Sequence, residues 1–190
     1  MNIVIVGCGN LGSNIARCLY TLDNDVRKFD LNRLTLYDSD MLEEKNLPYL
    51  TVEDSNLVGV PKVFILKDLM ESSFENVNIC AYDKAYTNDY GKYHLDSHII
   101  DCRDTGNKLD AFMKVTTDYN IGCIEFNTEY EEKNINGLYY FGKSSYYTNL
   151  FAYIAVDRLV NYDKSNDFKR REIILLDKLS ESVQMTMGDN

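Results

Sequence analysis

Residues 2–14 read NIVIVGCGNLGSN, and this stretch decides the fold. An uninterrupted apolar run of strand length leads directly into three closely spaced glycines, Gly7, Gly9 and Gly12. Helically spaced apolar residues follow them and predict a helix over residues 10–22. The order strand, glycine turn, helix is typical of a nucleotide-binding βαβ unit.

The glycine turn would bring the start of this helix close to a ligand at the tip of the strand. Glycine permits a tight turn and a close approach of backbone to ligand. The free N–H groups and the positive dipole end of the helix attract a phosphate. We therefore predict a nucleotide phosphate site formed by Gly7, Gly9, Asn10, Leu11 and Gly12. The alternative is a glycine turn needed only for close packing of strand and helix.

The composition is that of a globular protein, because 45% of the residues are hydrophobic and 26% are charged. A formal net charge of −10 argues against a nucleic-acid binder, since counterion release requires a basic surface. The five cysteines form no CxxC pair, so we expect apolar fillers in a reducing compartment. No apolar run approaches the roughly 18 residues of a membrane span, and we therefore expect a soluble, cytoplasmic protein.

A second strand is expected over residues 33–37, and it ends on Asp38. In a nucleotide-binding βαβ unit, the acid at the tip of the second strand accepts hydrogen bonds from the ribose hydroxyls. Asp38 lies about as far beyond the glycines as that geometry requires, so we predict a ribose contact. An acid that merely terminates the strand is the alternative.

Lys62 is expected in the first turn of a helix over residues 61–72, with Pro61 as its first residue. A cation at this end opposes the helix dipole, at a cost of about 0.3–1 kcal/mol. Such a placement suggests that the lysine faces a phosphate, although a solvated surface lysine is the alternative. Asn46 is either a helix cap or a loop residue on sequence grounds alone.

The rest of the chain predicts further strands and helices, so we expect an α/β, Rossmann-like, doubly wound fold. Its sheet should be mostly parallel, with antiparallel strands at one end. His94 and His98 are expected to be packed or surface residues rather than metal ligands. The remaining expected elements are strands over 76–82, 98–102, 121–128 and 137–141, helices over 106–119 and 146–162, an apolar strand or helix over 173–179, and a loose end over 185–190.

Residues between the second strand and Lys62 carry a resemblance to a known family. The pattern D-x-D-x-Φ-x-x-x-N-L over residues 38–47 and the G-x-P-K of residues 59–62 resemble the ThiF/HesA/MoeB family. This family includes the adenylation domain of ubiquitin-activating enzymes. The GxGxxGS of residues 7–13 fits it as well, and residues 101–104 are similar to its D-C-x-D-N segment.

The resemblance covers residues 2–162. It implies a ThiF-like nucleotide-binding and adenylation domain over residues 1–162, followed by a C-terminal extension over 163–190. It also implies a homodimer, and neither a nucleic acid nor a membrane is an expected partner.

The resemblance further implies an ATP-dependent adenylyltransferase. In such enzymes the C-terminal carboxylate of a small ubiquitin-like protein or peptide attacks the α-phosphate of ATP, giving an acyl adenylate and pyrophosphate. On this chain, Asn46 would contact the phosphates or their leaving group, and Asp104 would coordinate Mg²⁺. The expected nucleotide site also contains Asp38 and Asp40. Backbone amides of the glycine turn, Lys62 and the Asp104-bound metal would together stabilise the reacting anions. A plain helix cap is the alternative role for Asp104.

One departure from the family bears directly on catalysis. Where the family has N-L-x-R-Q, residues 46–50 read NLPYL, so Tyr49 replaces the arginine that steadies the triphosphate. Cations of this kind contribute factors of about 10³–10⁵ to the rate in related phosphoryl chemistry. Either Lys45 or Arg103 substitutes, or adenylation is weak or absent.

Two other functions therefore remain open. The first is a degenerate ThiF-like protein that binds a nucleotide or a partner without catalysis, and the missing arginine supports it. The second is an NAD-dependent oxidoreductase, which the glycines and Asp38 would suit. That function leaves Asn46 and the G-x-P-K element unexplained.

Overall fold

The computed structural model describes residues 1–26, 31–47, 55–104, 107–117, 121–126, 137–141, 148, 152–156, 159, 172–175 and 183–186. None of the helices in these ranges is long and apolar enough to cross a bilayer. Residues 148, 152–156 and 159 are helical, and short 3-10 helices occupy Glu44–Asn46, Ser55–Leu57 and Asn88–Tyr93. The other described elements are β1 (Asn2–Val6), α1 (Asn10–Val26), β2 (Arg33–Asp38), α2 (Lys62–Glu71), β3 (Asn78–Asp83), β4 (Ser97–Asp101), β5 (Met113–Thr117), β6 (Ile121–Phe126), β7 (Gly137–Phe141), β8 (Glu172–Leu175) and β9 (Val183–Thr186).

The described strands form one sheet in the order β3-β2-β1-β4-β5-β6-β7-β8-β9. The first five strands in this order run parallel to one another. The pairs β5–β6, β6–β7 and β8–β9 are antiparallel, and β7–β8 is parallel. This architecture confirms the expected α/β, Rossmann-like fold with antiparallel strands at one end. The strand order reverses between β1 and β4, which is where open α/β sheets bind their ligands.

Helices cover one face of the parallel half of the sheet. Alternate residues of β1 and β2 point to this face, and the helically spaced apolar residues of α1 and α2 pack on them. Each fully buried aliphatic side chain of this kind stabilises the fold by about 1.5–3 kcal/mol. The fully buried residues of this layer include Ile3, Ile5, Ile15, Leu19, Leu34, Leu36, Val63 and Leu66.

The opposite face of the sheet has a thinner cover. Val4 and Val6 of β1 belong there to a buried cluster with Tyr37, Tyr86 and Leu109. The cover comes from the 3-10 helix between β3 and β4 and from the segment between β4 and β5. The tyrosine-rich stretch after β3 thus packs against the sheet.

The helix expected over residues 106–119 is wrong, because Met113–Thr117 forms strand β5. Met113 and Val115 are fully buried, and the alternation of buried and less buried residues suits a strand. Val115, Thr116 and Thr117 are β-branched and favour the extended chain. In the sheet, β5 pairs with β4 on one side and with β6 on the other.

The end of the chain also differs from expectation. Met185 and Thr186 belong to β9 and are not loose, because they pair with β8. The apolar segment expected as strand or helix begins with β8. Both strands extend the sheet, although the expected domain division assigns them to the extension. That division stays a prediction.

Candidate functional site

A cleft of about 560 Å³ opens beside the ends of β1, β2 and β4, where the strand order reverses. This volume lies within the range of small-molecule and cofactor sites. The cleft brings together every candidate site residue of the sequence except Gly12. The candidate residues that line it are Gly7, Gly9, Asn10, Leu11, Asp38, Asp40, Asn46, Lys62 and Asp104.

Gly7, in the turn between β1 and α1, and Gly12, in the first turn of α1, have different roles. Gly7 has a φ of +92°, a conformation that side chains disfavour, and its N–H donates to the Tyr37 carbonyl at 2.8 Å. Gly12 lies outside the cleft lining. A Cβ at Gly12 would lie 1.9 Å from the Gly7 carbonyl oxygen, so this glycine permits the close approach of helix and turn. For Gly12, the packing alternative therefore has direct structural support.

Asp38 joins the tip of β2 to the glycine turn. Its carboxylate accepts hydrogen bonds from the Cys8 N–H at 2.6 Å and from the Asp40 N–H at 2.8 Å. Burial raises the pKa of Asp38, and the two backbone hydrogen bonds oppose that rise. An ionised carboxylate accepts about four hydrogen bonds. Asp38 thus has acceptor capacity beyond these two bonds, which the predicted ribose contact requires.

Lys62 is the first residue of α2, and Pro61 precedes it as the N-cap. Its N–H donates to the Asp40 carbonyl at 3.0 Å, and its ammonium contacts the Asp40 carboxylate at 3.0 Å. The Lys62 side chain is only 8% exposed, whereas that of Asp40 is 67% exposed. The alternative of a solvated surface lysine is therefore wrong. The lysine stem is buried and its ammonium faces the cleft acids.

Asn46 is the last residue of the 3-10 helix Glu44–Asn46, which follows β2. Its side-chain oxygen accepts from the Glu43 N–H at 3.1 Å, while the Glu43 side chain accepts from the Asn46 N–H in a capping box. Asn46 is thus the N3 residue of a capping box whose N-cap is Glu43, and it also lines the cleft.

The end of β4 and the turn that follows it carry two acids in different surroundings. Asp104 is exposed and lines the cleft, whereas Asp101 is only 1% exposed. The Arg103 guanidinium donates to both Asp101 oxygens, at 2.9 and 3.1 Å. Asp101 is thus a buried, paired carboxylate, and Asp104 is the one available to a ligand.

Asp104 suits a magnesium ion that a nucleotide brings with it. Within the described ranges, no group of three or more His, Cys, Asp or Glu residues could hold a metal ion. Mg²⁺ in nucleotide sites is usually held by one or two carboxylates together with phosphate oxygens and waters. Asp104 fits the role of a single protein ligand of this kind.

Many carboxylates line the cleft, and its described cations are paired with carboxylates. Among the described residues that line it, Lys45 pairs with Glu43 at 2.7 Å, Lys62 with Asp40, and Arg103 with Asp101. Carboxylates of Asp38, Asp40, Glu43 and Asp104 also line the cleft. A bound triphosphate therefore requires that ion pairs exchange partners or that a metal accompanies it.

Several lining residues were missed in the sequence. Tyr37 and Tyr86, whose ring centroids are 4.9 Å apart, line the cleft together with Ala85. Tyr37 directly precedes Asp38 at the tip of β2, and this position was a usable signal. Ala85 and Tyr86 follow β3 in an irregular segment that carries no recognisable motif, so nothing in the sequence pointed to them.

A buried hydrogen bond supports the wall of the cleft. The Tyr37 hydroxyl lies 3.0 Å from Nε2 of His94, which is 9% exposed. Burial lowers the pKa of His94, and the charge of Arg33 adds to this effect. Burial also raises the pKa of Tyr37 to about 12. The expectation that His94 is packed is confirmed.

This histidine makes a testable contribution to the pH dependence of stability. Because the pKa of His94 is lower in the folded state, the unfolded chain takes up the proton first as pH falls below the ordinary histidine pKa of about 6.5. The free energy of unfolding should therefore decrease as pH falls through 6.5 towards the folded-state pKa. Urea unfolding at a series of pH values would measure this slope. We expect a shallower slope in His94→Gln, and parallel profiles would contradict the assignment.

No model of a known protein family matches the sequence, and no curated protein matches it. Solved structures do match. E. coli MccB with AMPCPP and MccA has a TM-score of 0.64 at 14% identity, covering 100% of this chain and 64% of that one. E. coli MccB with MccA gives 0.67 at 16% identity and the same coverage. PaaA gives 0.63 at 18% identity, covering 98% and 63%. These neighbours are ThiF/MoeB-family proteins.

The chain has a ThiF-like fold. The resemblance seen in the sequence motifs is thereby confirmed at the level of the fold. The chain spans 63–64% of the length of the MccB and PaaA chains.

Proposed function

We propose that this chain is an ATP-dependent adenylyltransferase that activates the C-terminal carboxylate of a small ubiquitin-like protein or peptide. The observation that carries the proposal is the convergence of the glycine turn, Lys62 and Asp104 on one cleft. The structural neighbours support it, because they are ThiF-family adenylating enzymes. One MccB structure contains MccA and AMPCPP, a methylene analogue of ATP.

The proposed reaction brings two anions together. A carboxylate oxygen attacks the α-phosphorus, the bond from that phosphorus to the bridging oxygen breaks, and pyrophosphate leaves with the electron pair. Positive groups that are already in place lower the barrier to such a step. The N–H groups at the start of α1 and the Lys62 ammonium supply them here. Asp104 would hold Mg²⁺, which neutralises charge on the phosphates.

Two polar residues would orient the nucleotide. Asp38 would accept hydrogen bonds from the ribose hydroxyls. The Asn46 oxygen already accepts from Glu43, so the amide N–H₂ is the group that this side chain would present to the phosphates. On the resemblance alone, we further propose a homodimer, the domain over residues 1–162 and the extension over 163–190.

A ThiF-like binding protein without catalysis is the second candidate function. The specific observation in its favour is that each described cation of the cleft is already paired with a carboxylate. Such a protein would bind Mg·ATP or a protein partner and would not form an adenylate.

Ligand-dependent thermal unfolding tests the nucleotide class. We expect Mg·ATP to raise the melting temperature and NAD to leave it unchanged. A ligand at 100 times its Kd stabilises the folded state by about 2.7 kcal/mol. A rise with NAD alone would contradict the adenylation proposal and support an oxidoreductase.

Pyrophosphate exchange into ATP tests the reaction itself. A pool of synthetic peptides with free C-termini should support exchange, and the same pool with amidated C-termini should not. Asp104→Ala should lower the exchange rate by about 10²–10³-fold, as for the loss of one electrostatic group. Asp89→Ala is the matched control, because Asp89 is exposed and does not line the cleft. Binding of Mg·ATP without exchange would support the second candidate.

A further inference from the structure

Arg103 lies against the glycine turn at which the phosphates would bind. It follows β4 and lines the cleft. A Cβ added at Gly7 would lie 3.2 Å from both Cγ and the backbone nitrogen of Arg103, so the stem of this arginine packs directly on the turn. Because an arginine side chain has four rotatable bonds, its guanidinium can change partners without movement of the backbone.

The Arg103 guanidinium forms hydrogen bonds with groups that do not line the cleft. Its Nε and Nη2 donate to Asp101, and Nη2 also donates to the Asn107 carbonyl at 2.8 Å. Asp101 itself does not line the cleft. The positive charge of Arg103 is therefore neutralised by a carboxylate that does not line the cleft.

Asp101 has a second cation within reach. Lys114 is its register partner on the neighbouring strand β5, and the Lys114 ammonium lies 3.7 Å from Oδ2 of Asp101. This distance is within an ion pair but beyond a direct hydrogen bond, which a shift of less than about 1 Å would complete. Lys114 does not line the cleft. A buried carboxylate that loses its partner strongly destabilises a protein. Because Lys114 can keep Asp101 paired, Arg103 can leave Asp101 without that cost.

The other cations of the cleft are less suited to a triphosphate. The Lys45 side chain is 72% exposed, so solvent and salt screen its charge. Lys62 supplies one charge only, and a triphosphate with its metal leaves negative charge uncompensated. Arginine also binds phosphate oxygens through paired N–H groups, which lysine cannot do.

We propose that Arg103 turns from Asp101 to the nucleotide phosphates when Mg·ATP binds, while Lys114 keeps Asp101 paired. Arg103 would then supply the positive charge that the Tyr49 side chain lacks. Tyr49 itself lies outside the described residues. The inference rests on the proposed function, because it names a further phosphate-binding residue of the same cleft and makes Lys114 a positioning residue.

A double-mutant cycle on Mg·ATP affinity tests this exchange in the full chain. By titration calorimetry, Arg103→Gln should weaken binding about 10-fold or more, as for the loss of a charged hydrogen bond. Lys114→Met should weaken binding about 3-fold to 10-fold in the Arg103 protein, since Arg103 must then stay on Asp101. In the Arg103→Gln protein, Lys114→Met should have no effect. A long-range effect of charge would persist in both backgrounds, so the cycle separates the two causes.

Asp101→Asn provides a version of the test that leaves no buried carboxylate unpaired. The amide has the shape of the carboxylate but holds Arg103 less tightly, so Mg·ATP affinity should equal or exceed that of the wild type. Lys114→Met should then leave the affinity unchanged. Lys92→Met is the control for loss of one positive charge, because Lys92 is exposed and outside the cleft lining.

The outcomes distinguish this inference from the proposed function. Lys114→Met that does not weaken binding, or weakens it equally in both backgrounds, overturns the inference. If binding is lost in Lys62→Met while Arg103 and Lys114 show no coupling, the proposed function stands and only the inference falls. A folded wild-type protein that does not respond to Mg·ATP overturns both.

Discussion

Lys62→Met is expected to lower carboxylate-dependent pyrophosphate exchange by about 10²–10³-fold while the protein stays folded. The Lys62 ammonium is the buried cation of the cleft and would stabilise the charge that develops on the phosphates. Methionine is apolar and close to lysine in length, so it fills the buried position of this side chain. The former partner, Asp40, is 67% exposed and stays hydrated, so the lost ion pair should cost little stability.

The same helix offers a matched control for this variant. Lys67 lies in α2, is paired with Glu71 and does not line the cleft. Lys67→Met should therefore leave exchange at the wild-type rate. Exchange and thermal unfolding would be measured on both variants. Wild-type exchange in Lys62→Met would exclude this cleft as the adenylation site, whereas equal losses in the two variants would point to the net charge of the protein.

The fold was predictable where the chain carries a local pattern. β1 is a continuous apolar run ending in glycine, and α1 has apolar residues at helical spacing, so both were expected and both are observed. β5 was mistaken for a helix, because a five-residue segment has too little length to establish a period. Its strand form depends on pairing with β4 and β6, which lie outside the segment itself.

In the candidate site, the sequence likewise predicted individual residues but not their long-range contacts. Sequence motifs identified Asp38, Asp40, Lys62 and Asp104, and the cleft contains all four. The motifs did not indicate which acid would pair with which cation. Lys62 pairs with Asp40, 22 residues away, because the turn after β2 is joined to the first residue of α2 by a backbone hydrogen bond. Such partners follow from the packing of the elements.

Gly12→Ala is expected to lower the free energy of unfolding by about 3 kcal/mol or more, the upper range for overpacking a rigid site. A Cβ at this position would lie 1.9 Å from the Gly7 carbonyl oxygen and 3.3 Å from Cγ2 of Ile5. The first contact is with backbone in a hydrogen-bonded turn, so relief requires α1 to move away from β1. For a chain of this size, the melting temperature should fall by about 6–12 °C.

Gly9→Ala is the matched comparison, because it makes the same chemical change three residues earlier, in the turn that precedes α1. A Cβ at Gly9 would meet no heavy atom within 4 Å, and Gly9 is not among the glycines with positive φ. Its stability should stay within about 0.5 kcal/mol of the wild type. Gly9 lines the cleft, however, so the added methyl should weaken Mg·ATP binding. If Gly12→Ala loses stability and Gly9→Ala loses Mg·ATP binding, Gly12 is the glycine needed for helix packing and Gly9 the glycine needed for phosphate binding. Equal destabilisation of both variants would contradict the close contact at Gly12.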